Sequence, residues 1–269
     1  MSLANDVVAL DIHGLAPRLK MYIHGDEDQI ISARLRKDHC WEAYETQLTL
    51  QYLKAGDVYV DVGANIGYYT VVAAERVGAL GKVIAYEPNP ANYTLLQHNV
   101  ALNQLPQVQL FPYALYDQDA EGTLFLSGDN FGDHRIYAAE EARDSHAITL
   151  VHGAEHLRPL TEKINFLKID TQGAEFFVLN GLKSLILQNR AHLHMIVEFC
   201  PYGIRHSGAD AHEVVRLLES LEMPMAIIDH QQQQLIPVQP FHLHDWVDEL
   251  ANEPANEGFL NLLLRPQAV

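Results

Sequence analysis

The sequence is short of positive charge and of cysteine. It has 18 lysines and arginines against 35 aspartates and glutamates in 269 residues, a formal net charge of −17. A field of this sign repels nucleic acid and anionic membranes, so we expect neither as a partner and consider neutral or cationic ligands instead. The two cysteines, Cys40 and Cys200, are expected to stay reduced in a chain this long and this poor in cysteine.

Long apolar runs and targeting signals are also missing. No stretch approaches the roughly 20 apolar residues that a transmembrane helix needs. The segment from Met1 to Leu19 contains Asp6, Asp11 and His13, and it lacks the continuous apolar core of a secretory signal. We therefore expect a cytoplasmic protein. The sequence leaves homo-oligomerisation open.

Two phosphate-binding motifs are absent. No G-x-x-x-x-G-K-[ST] pattern occurs, which rules out a P-loop. The dinucleotide fingerprint G-x-G-x-x-G is incomplete, because Asn65 stands where the second glycine should follow Gly63. An NAD-type dehydrogenase remains an alternative, but Asn65 and the acidic Asp61 both argue against it.

The run from Asp57 to Thr70 predicts a strand, a tight turn and the start of a helix. Apolar β-branched residues lead up to Val62, and Gly63 and Gly67 then let the backbone turn sharply and approach a ligand. The free N–H groups of the helix that follows point back at the same place. This is the opening unit of a nucleotide-binding α/β fold.

The same alternation of strands and helices continues along the chain. We predict seven strands, at residues 58–62, 82–87, 108–111, 164–170, 194–199, 225–228 and 259–264. Such alternation predicts a doubly wound α/β fold with a mostly parallel sheet. Residues 229–258 have little helical pattern, so the last strand is expected to be antiparallel.

The chain is predicted to have one main domain. We assign residues 1–40 to a small β-rich lead-in packed on that domain and residues 41–269 to the domain itself. Residues 127–160 are polar, rich in histidine and irregular, and are interpreted as an insertion on the substrate side.

Two carboxylates define the expected ligand. Asp61 ends the first strand, where it would oppose a pyrophosphate but suit an ammonium or sulfonium group. Glu87 ends the second strand, twenty residues after Gly67, where an acid accepts hydrogen bonds from two ribose hydroxyls. A ligand with a ribose, a positive end and no required phosphate matches S-adenosylmethionine.

Three motifs then resemble a known family. They are the run from Asp57 to Thr70, the run Ala85-Tyr86-Glu87-Pro88-Asn89-Pro90, and the run from Leu167 to Glu175. In this order and spacing they resemble the FkbM family of S-adenosylmethionine-dependent methyltransferases, from about Tyr44 to Cys200. The resemblance implies a Rossmann-like class I methyltransferase fold with seven strands, and most often transfer to a hydroxyl oxygen. Family members usually show Val-Glu where this chain has Thr171-Gln172.

The resemblance also implies roles for individual residues. The methionine end of the cofactor would be held by Asp61, Gly63 and Asn65, with Ala64, Gly67 and Tyr68 in the same loop. Glu87 would hold the ribose, flanked by Pro88 and Asn89. Ala114 and Leu115 would border the adenine, and Asp170 would face the methionine end or the acceptor.

Methyl transfer to a hydroxyl benefits from a base that takes the hydroxyl proton. The candidates are Asp170, Glu198, His134 and His206, with Asp170 preferred because its position is the most constrained. Two alternatives stay open: that Asp170 serves only to bind the cofactor, and that Glu198 only caps the next loop. The turn-forming segment 129–134 is interpreted as a lid or acceptor wall.

Two further alternatives come from the sequence. His152, Glu155 and His156 spell H-x-x-E-H, an inverted zinc-peptidase pattern, although Gly153 weakens the helix that a zinc site would need. A zinc hydrolase is therefore kept as a remote alternative, and a non-catalytic module that binds an adenosine ligand as another. A magnesium ion on Asp170 and Glu198 is not required, and no metal is assigned.

Overall fold

The central sheet has eight strands. The computed structural model describes residues 6–16, 18–138, 143–253 and 255–267. In spatial order the strands are β12 (Gln234–Val238), β11 (Met225–Asp229), β13 (Leu260–Leu264), β10 (His194–Phe199), β9 (Phe166–Ile169), β3 (Val58–Val62), β4 (Lys82–Tyr86) and β5 (Val108–Phe111).

The sheet is mixed, as the sequence predicts. Strands β10, β9, β3, β4 and β5 run parallel, whereas β13 is antiparallel to both β10 and β11. All seven predicted strands are present and the antiparallel last strand is confirmed. The further strand β12 pairs antiparallel with β11 at the sheet edge, and the glutamine run forms the hairpin turn between them.

Helices cover both faces of the sheet. Side chains alternate along β3, so that Val60 and Val62 pack with one core cluster and Tyr59 packs with the other. The first cluster contains apolar residues of α6 (Glu175–Asn189) and α8 (Ala211–Ser220). The second contains apolar residues of α2 (Ala43–Tyr52), α3 (Tyr68–Val77) and α4 (Pro90–Leu102).

One helix contradicts the sequence interpretation. Residues 229–258, in which we saw little helical pattern, contain α9 (Pro240–Ala251). Its buried residues Leu243, Val247 and Leu250 have helical spacing, but they are set among histidines and aspartates that weaken the apolar signal. Pro240 at the first turn and the Gln239 capping box begin the helix.

A second sheet stands beside the cavity. Its order is β6 (Ala114–Tyr116), β8 (Ser145–His152) and β7 (Ala120–Phe125). The interpretation of 127–160 as irregular is wrong, because β8 and the short α5 (Gly153–Leu157) lie within it. Strand β8 buries only Ile148 and Leu150 between partly exposed neighbours, which hides it among polar residues. Residues 139–142 of this segment lie outside the described residues.

The N-terminal segment joins the core of the second face. Strands β1 (Val7–Ala9) and β2 (Lys20–Tyr22) form a small antiparallel pair, followed by α1 (Ile31–Asp38), which was not predicted. Met21 and Leu35 are fully buried in the cluster that also holds apolar residues of α3. The side chain of Asn99 in α4 binds both backbone polar groups of Tyr22. Its oxygen accepts the Tyr22 N–H at 2.6 Å, and its nitrogen donates to the Tyr22 carbonyl at 3.0 Å.

Candidate active site

The candidate site is a cavity at the carboxyl ends of the parallel strands. Strands β3, β4, β9 and β10 all end at it, on either side of the point where the strand order reverses. Its volume is about 310 Å³, at the lower end of the roughly 300–1,000 Å³ that small-molecule sites occupy. Among the residues that the structure describes, five acidic residues line it, against one lysine and no arginine: Glu42, Asp61, Glu87, Asp170 and Glu198, with Lys168. This lining suits a ligand that carries positive charge.

The loop between β3 and α3 is shaped by its glycines. Gly63 has φ +84°, and a Cβ on it would lie 1.9 Å from the carbonyl oxygen of Asp170. Gly67 has φ +90°, and a Cβ there would lie 2.4 Å from Leu96. Gly63, Ala64 and Tyr68 line the cavity, whereas Gly67 does not. Gly63 thus lets the backbone ends of β3 and β9 come together, whereas Gly67 leaves room for the Leu96 side chain of α4.

Glu87 is held rigidly at the cavity wall. One carboxylate oxygen accepts the Asn65 N–H and the other accepts the Asn89 N–H, each at 2.8 Å. The residue is 5% exposed, and burial raises the pKa of Glu87 to about 7 even though the two N–H groups act to lower it. Each oxygen keeps a further lone pair for a ligand hydroxyl. Pro88 lines the cavity, and Asn89 supports it by capping α4.

Asp61 lies in β3, just before the loop between β3 and α3. Its carboxylate accepts a hydrogen bond of 2.5 Å from the hydroxyl of Thr70, in the first turn of α3. Burial raises the pKa of Asp61 to about 6, although the Thr70 hydroxyl acts to lower it. A buried carboxylate with so little compensation favours a cationic partner.

The side chain of Asn65 forms its hydrogen bonds with other parts of the protein. Its backbone is left-handed, with φ 53°, and its amide nitrogen donates to the carbonyl of Phe131 at 3.0 Å. Asn92 of α4 donates to the same carbonyl at 3.1 Å and is joined to His24 at 2.8 Å. The predicted lid segment, residues 129–134, is therefore joined by hydrogen bonds to the loop between β3 and α3 and to α4. The contact between Asn92 and His24 also connects it to the N-terminal segment.

His134 lines the cavity from the lid segment. Its Nδ1 accepts the Ser127 N–H at 3.1 Å, and burial lowers the pKa of His134 to about 4. The neutral ring therefore carries its proton on Nε2, which makes the free nitrogen a hydrogen-bond donor. His206, in α7 (Pro201–His206), does not line the cavity, and its Nδ1 contacts the Tyr202 carbonyl at 2.8 Å.

The remaining walls are apolar. Ala114 and Leu115 line the cavity together with residues of similar character: Tyr113, Tyr116, Leu124 and Ile136. Trp41, Tyr69 and Phe259 line it as well. The apolar and aromatic surface beside Glu87 and Ala114 suits a flat heterocycle.

A polar cluster closes the floor at the end of β9. Asp170 receives Lys168 Nζ at 2.7 Å on one oxygen and Gln172 Nε2 at 2.8 Å on the other. Gln172 Nε2 also donates to Glu198 at 2.9 Å. Burial, together with nearby Asp170 and Glu175, raises the pKa of Glu198 well above its ordinary value.

Lys168 is buried and positively charged. Burial alone would lower its pKa, but the carboxylates of Asp170 and Glu45 outweigh that effect and raise it. Neither Lys168 nor Gln172 was predicted as a site residue. Alternation along the end of β9 places residues 168 and 170 on one face, whereas Gln172 lies in the turn after the strand, where that pattern no longer applies.

The two histidines of the H-x-x-E-H pattern, His152 and His156, do not point at a common site. His152 ends β8 and caps α5, where its Nδ1 accepts the Glu155 N–H at 3.4 Å. His156 instead contacts the hydroxyl of Tyr86 at 2.9 Å and packs edge-on against Phe111. Helix α5 is only five residues long. The two histidines thus face different partners.

Within the described part of the chain, the group that could hold a metal ion is Glu42, Glu45 and His230, whose ligand atoms lie within 4.8 Å of one another. Protein groups already engage one oxygen of each carboxyl group, and burial raises the pKa of Glu45 to about 8, which favours its uncharged form. Tyr69 donates to Glu42 at 2.9 Å and Asn261 to Glu45 at 2.8 Å, and Lys168 Nζ lies 3.8 Å from Glu45. We assign no metal there.

Comparisons with known proteins identify the family. The model of the methyltransferase FkbM domain matches residues 61–223. Methyltransferase 1 of Beauveria bassiana (strain ARSEF 2860) is 26% identical over 191 residues, which cover 62% of this chain and 72% of that protein. Methyltransferase sdnD of Sordaria araneosa is 28% identical over 201 residues, which cover 62% and 74%.

A solved structure, methyltransferase FkbM from Methylobacillus flagellatus KT, aligns with a TM-score of 0.47 at 12% identity. The alignment covers 92% of this chain and 56% of that chain. The strand order, the cavity and the matched residues define a methyltransferase with a Rossmann-like fold. The chain belongs to the FkbM methyltransferase family, which confirms the resemblance carried by the three motifs. Among the described residues, every helix is too short or too polar to cross a bilayer.

Proposed function

We propose that the protein transfers the methyl group of S-adenosylmethionine to a hydroxyl oxygen of a small molecule, such as a sugar or a secondary metabolite. The observation that carries the cofactor assignment is Glu87, a buried acid fixed at the end of β4 with both oxygens facing N–H donors and the cavity. This arrangement presents two acceptors to the two hydroxyls of a ribose.

The other cofactor contacts follow from the lining. Asp61 and Asp170 place negative charge where the ammonium and sulfonium groups would lie, with Gly63 allowing close approach of the backbone. Ala114 and Leu115 offer the apolar wall for adenine. The acidic lining also opposes a pyrophosphate, which disfavours NAD in the same cavity.

Asp170 is the proposed base. S-adenosylmethionine, when bound, supplies an activated methyl group, so the protein mainly has to align the acceptor and remove its proton. Lys168 donates a hydrogen bond to one oxygen of Asp170 at 2.7 Å and so fixes the orientation of the carboxylate. The carboxylate then accepts the proton of the acceptor hydroxyl as its oxygen attacks. Glu198 and His134, whose neutral forms are favoured by burial, are proposed to orient the acceptor.

Calorimetry and thermal shift test the cofactor assignment together. S-adenosylmethionine and S-adenosylhomocysteine should raise the melting temperature, whereas NAD and zinc should not, because only a ligand that binds the folded state stabilises it. The raised pKa values of Asp61 and Glu87 further predict that the cationic cofactor binds with release of protons. The heat of binding should therefore change between buffers of different ionisation enthalpy. Stabilisation by NAD alone would overturn the proposal.

A turnover test addresses the acceptor. Release of S-adenosylhomocysteine is followed with panels of hydroxyl-bearing and amine-bearing small molecules. Hydroxyl acceptors should be methylated, and Asp170→Asn should abolish that turnover. Exclusive methylation of amines would refute the oxygen assignment, and cofactor binding without any turnover would favour a non-catalytic binding module.

A further inference from the structure

Gln172 joins two carboxyl groups with a single nitrogen. It follows β9 in a left-handed conformation, with φ 54°, and its side chain turns into the floor of the cavity. Its amide nitrogen lies 2.8 Å from Asp170 and 2.9 Å from Glu198. An amide has two N–H groups, so each carboxyl group receives one of them.

Charge explains why a donor is needed at this point. The Nζ of Lys168 contacts the other oxygen of Asp170. The second carboxyl group near this Nζ belongs to Glu45, whose Oε1 lies 3.8 Å away. Glu198 is 8% exposed, lies close to Asp170 and Glu175, and has Gln172 as its side-chain donor. Two carboxyl groups this close need a shared proton, a cation or a neutral donor between them.

We propose that Gln172 is a positioning residue, whose amide nitrogen occupies the place of a bridging cation between Asp170 and Glu198 and aims the Asp170 carboxylate into the cavity. The site is thereby organised for methyl transfer without a divalent ion between these two acids. Only the role of Asp170 as base rests on the function proposed above.

The same geometry predicts what an acid at this position would do. Gln172→Glu keeps the shape of the side chain but replaces the bridging N–H groups with a third carboxylate. Three oxygen ligands would then converge on one point, which is the donor set that Mg²⁺ and Mn²⁺ prefer. The variant should therefore gain a cation site that the natural chain lacks.

The test titrates Mn²⁺ into the full chain saturated with S-adenosylhomocysteine, followed by electron paramagnetic resonance and calorimetry. Gln172→Glu should bind one Mn²⁺ at least tenfold more tightly than wild type, and adding Glu198→Gln should remove that site. Gln231→Glu, an exposed residue at the hairpin turn, makes the same charge change and should gain nothing. Saturable Mn²⁺ binding by wild type that Asp170→Asn abolishes would overturn the proposal, as would no gain in Gln172→Glu.

A second variant serves if Gln172→Glu fails to fold. Gln172→Met removes both N–H groups without adding charge, so the pKa of Glu198 should rise further above its wild-type value, read by ¹³C NMR of labelled glutamate. A Glu198 titration that does not move would mean that Gln172 only shapes the turn. Binding of S-adenosylhomocysteine to wild type is measured in parallel, and its absence would refute the proposed function rather than the role of Gln172.

Discussion

Replacing Glu87 by glutamine should stabilise the free protein at alkaline pH while weakening cofactor binding. Burial raises the pKa of Glu87 to about 7, against roughly 4.3 for an exposed glutamate. The folded state thus holds this proton more tightly than the unfolded state. The stability that Glu87 contributes is therefore present at about pH 4 and is lost as pH rises through about 7.

The magnitude follows from the shift. Each pKa unit corresponds to about 1.4 kcal/mol, so keeping Glu87 ionised in the folded protein costs about 4 kcal/mol at pH 8. Glutamine keeps one acceptor oxygen, but its NH2 group faces the other backbone N–H and cannot accept a hydrogen bond from it, which costs about 1–3 kcal/mol. Near pH 4.5 the variant should therefore be less stable than wild type by about that amount. Between pH 4.5 and pH 8.5 the difference should move by about 3 kcal/mol in favour of the variant, so that the variant becomes the more stable protein. Loss of charged hydrogen bonds to ribose should weaken S-adenosylhomocysteine binding by about 1–3 kcal/mol.

Urea unfolding at several pH values and calorimetry with S-adenosylhomocysteine measure the two effects separately. Glu121→Gln, an exposed residue of β7 outside the cavity, is the matched control and should change neither. A variant that is less stable than wild type at pH 8.5 would show that the two backbone N–H groups compensate the charge fully. Unchanged affinity at pH 8.5 would refute the ribose assignment.

Three other substitutions test the site. Asp170→Asn should reduce turnover far more than it weakens S-adenosylhomocysteine binding, and equal losses would leave Asp170 as a binding residue only. Gly63→Ala should lower the free energy of unfolding by about 3 kcal/mol or more in urea titrations, because the Cβ would lie 1.9 Å from the Asp170 carbonyl at φ +84°. Asn65→Gly keeps the left-handed turn but removes the hydrogen bond to Phe131. Stopped-flow measurements should therefore show faster cofactor dissociation, with little loss of stability. An unchanged rate would show that the predicted lid segment does not control cofactor release through this bond.

The parts of the fold that local patterns determine were predictable. Four of the five parallel strands, β3, β4, β9 and β10, are buried on both faces, so each appears as a short apolar run, and Glu87 and Asp170 follow from where such runs end. Strand β8 and helix α9 were missed because each buries only two or three side chains among polar residues. Their apolar signal is too sparse to be recognised without the surfaces against which they pack.

The polar floor of the cavity was only partly predictable, for a different reason. Asp170 was found from its position, but the value of Gln172 depends on Glu198, which follows one helix later in the chain and reaches the same point only through the parallel pairing of β9 and β10. Likewise, His24 meets Asn92 because β2 packs against α4. Contacts between residues far apart in sequence leave no periodic pattern.

Asn65 shows how an apparent defect in a motif acquires a role. In the sequence it argues against a dinucleotide, because it replaces a glycine, and the family resemblance assigns it to the methionine end of the cofactor. In the structure it adopts the left-handed conformation that asparagine tolerates, so the turn is kept. Its N–H binds Glu87 and its side chain binds the carbonyl of Phe131, two contacts of which a glycine could make only the first. Asn65 therefore links Glu87, the acid proposed to hold the ribose, to the predicted lid segment, residues 129–134. A movement of that segment would pull on the residue that donates to Glu87.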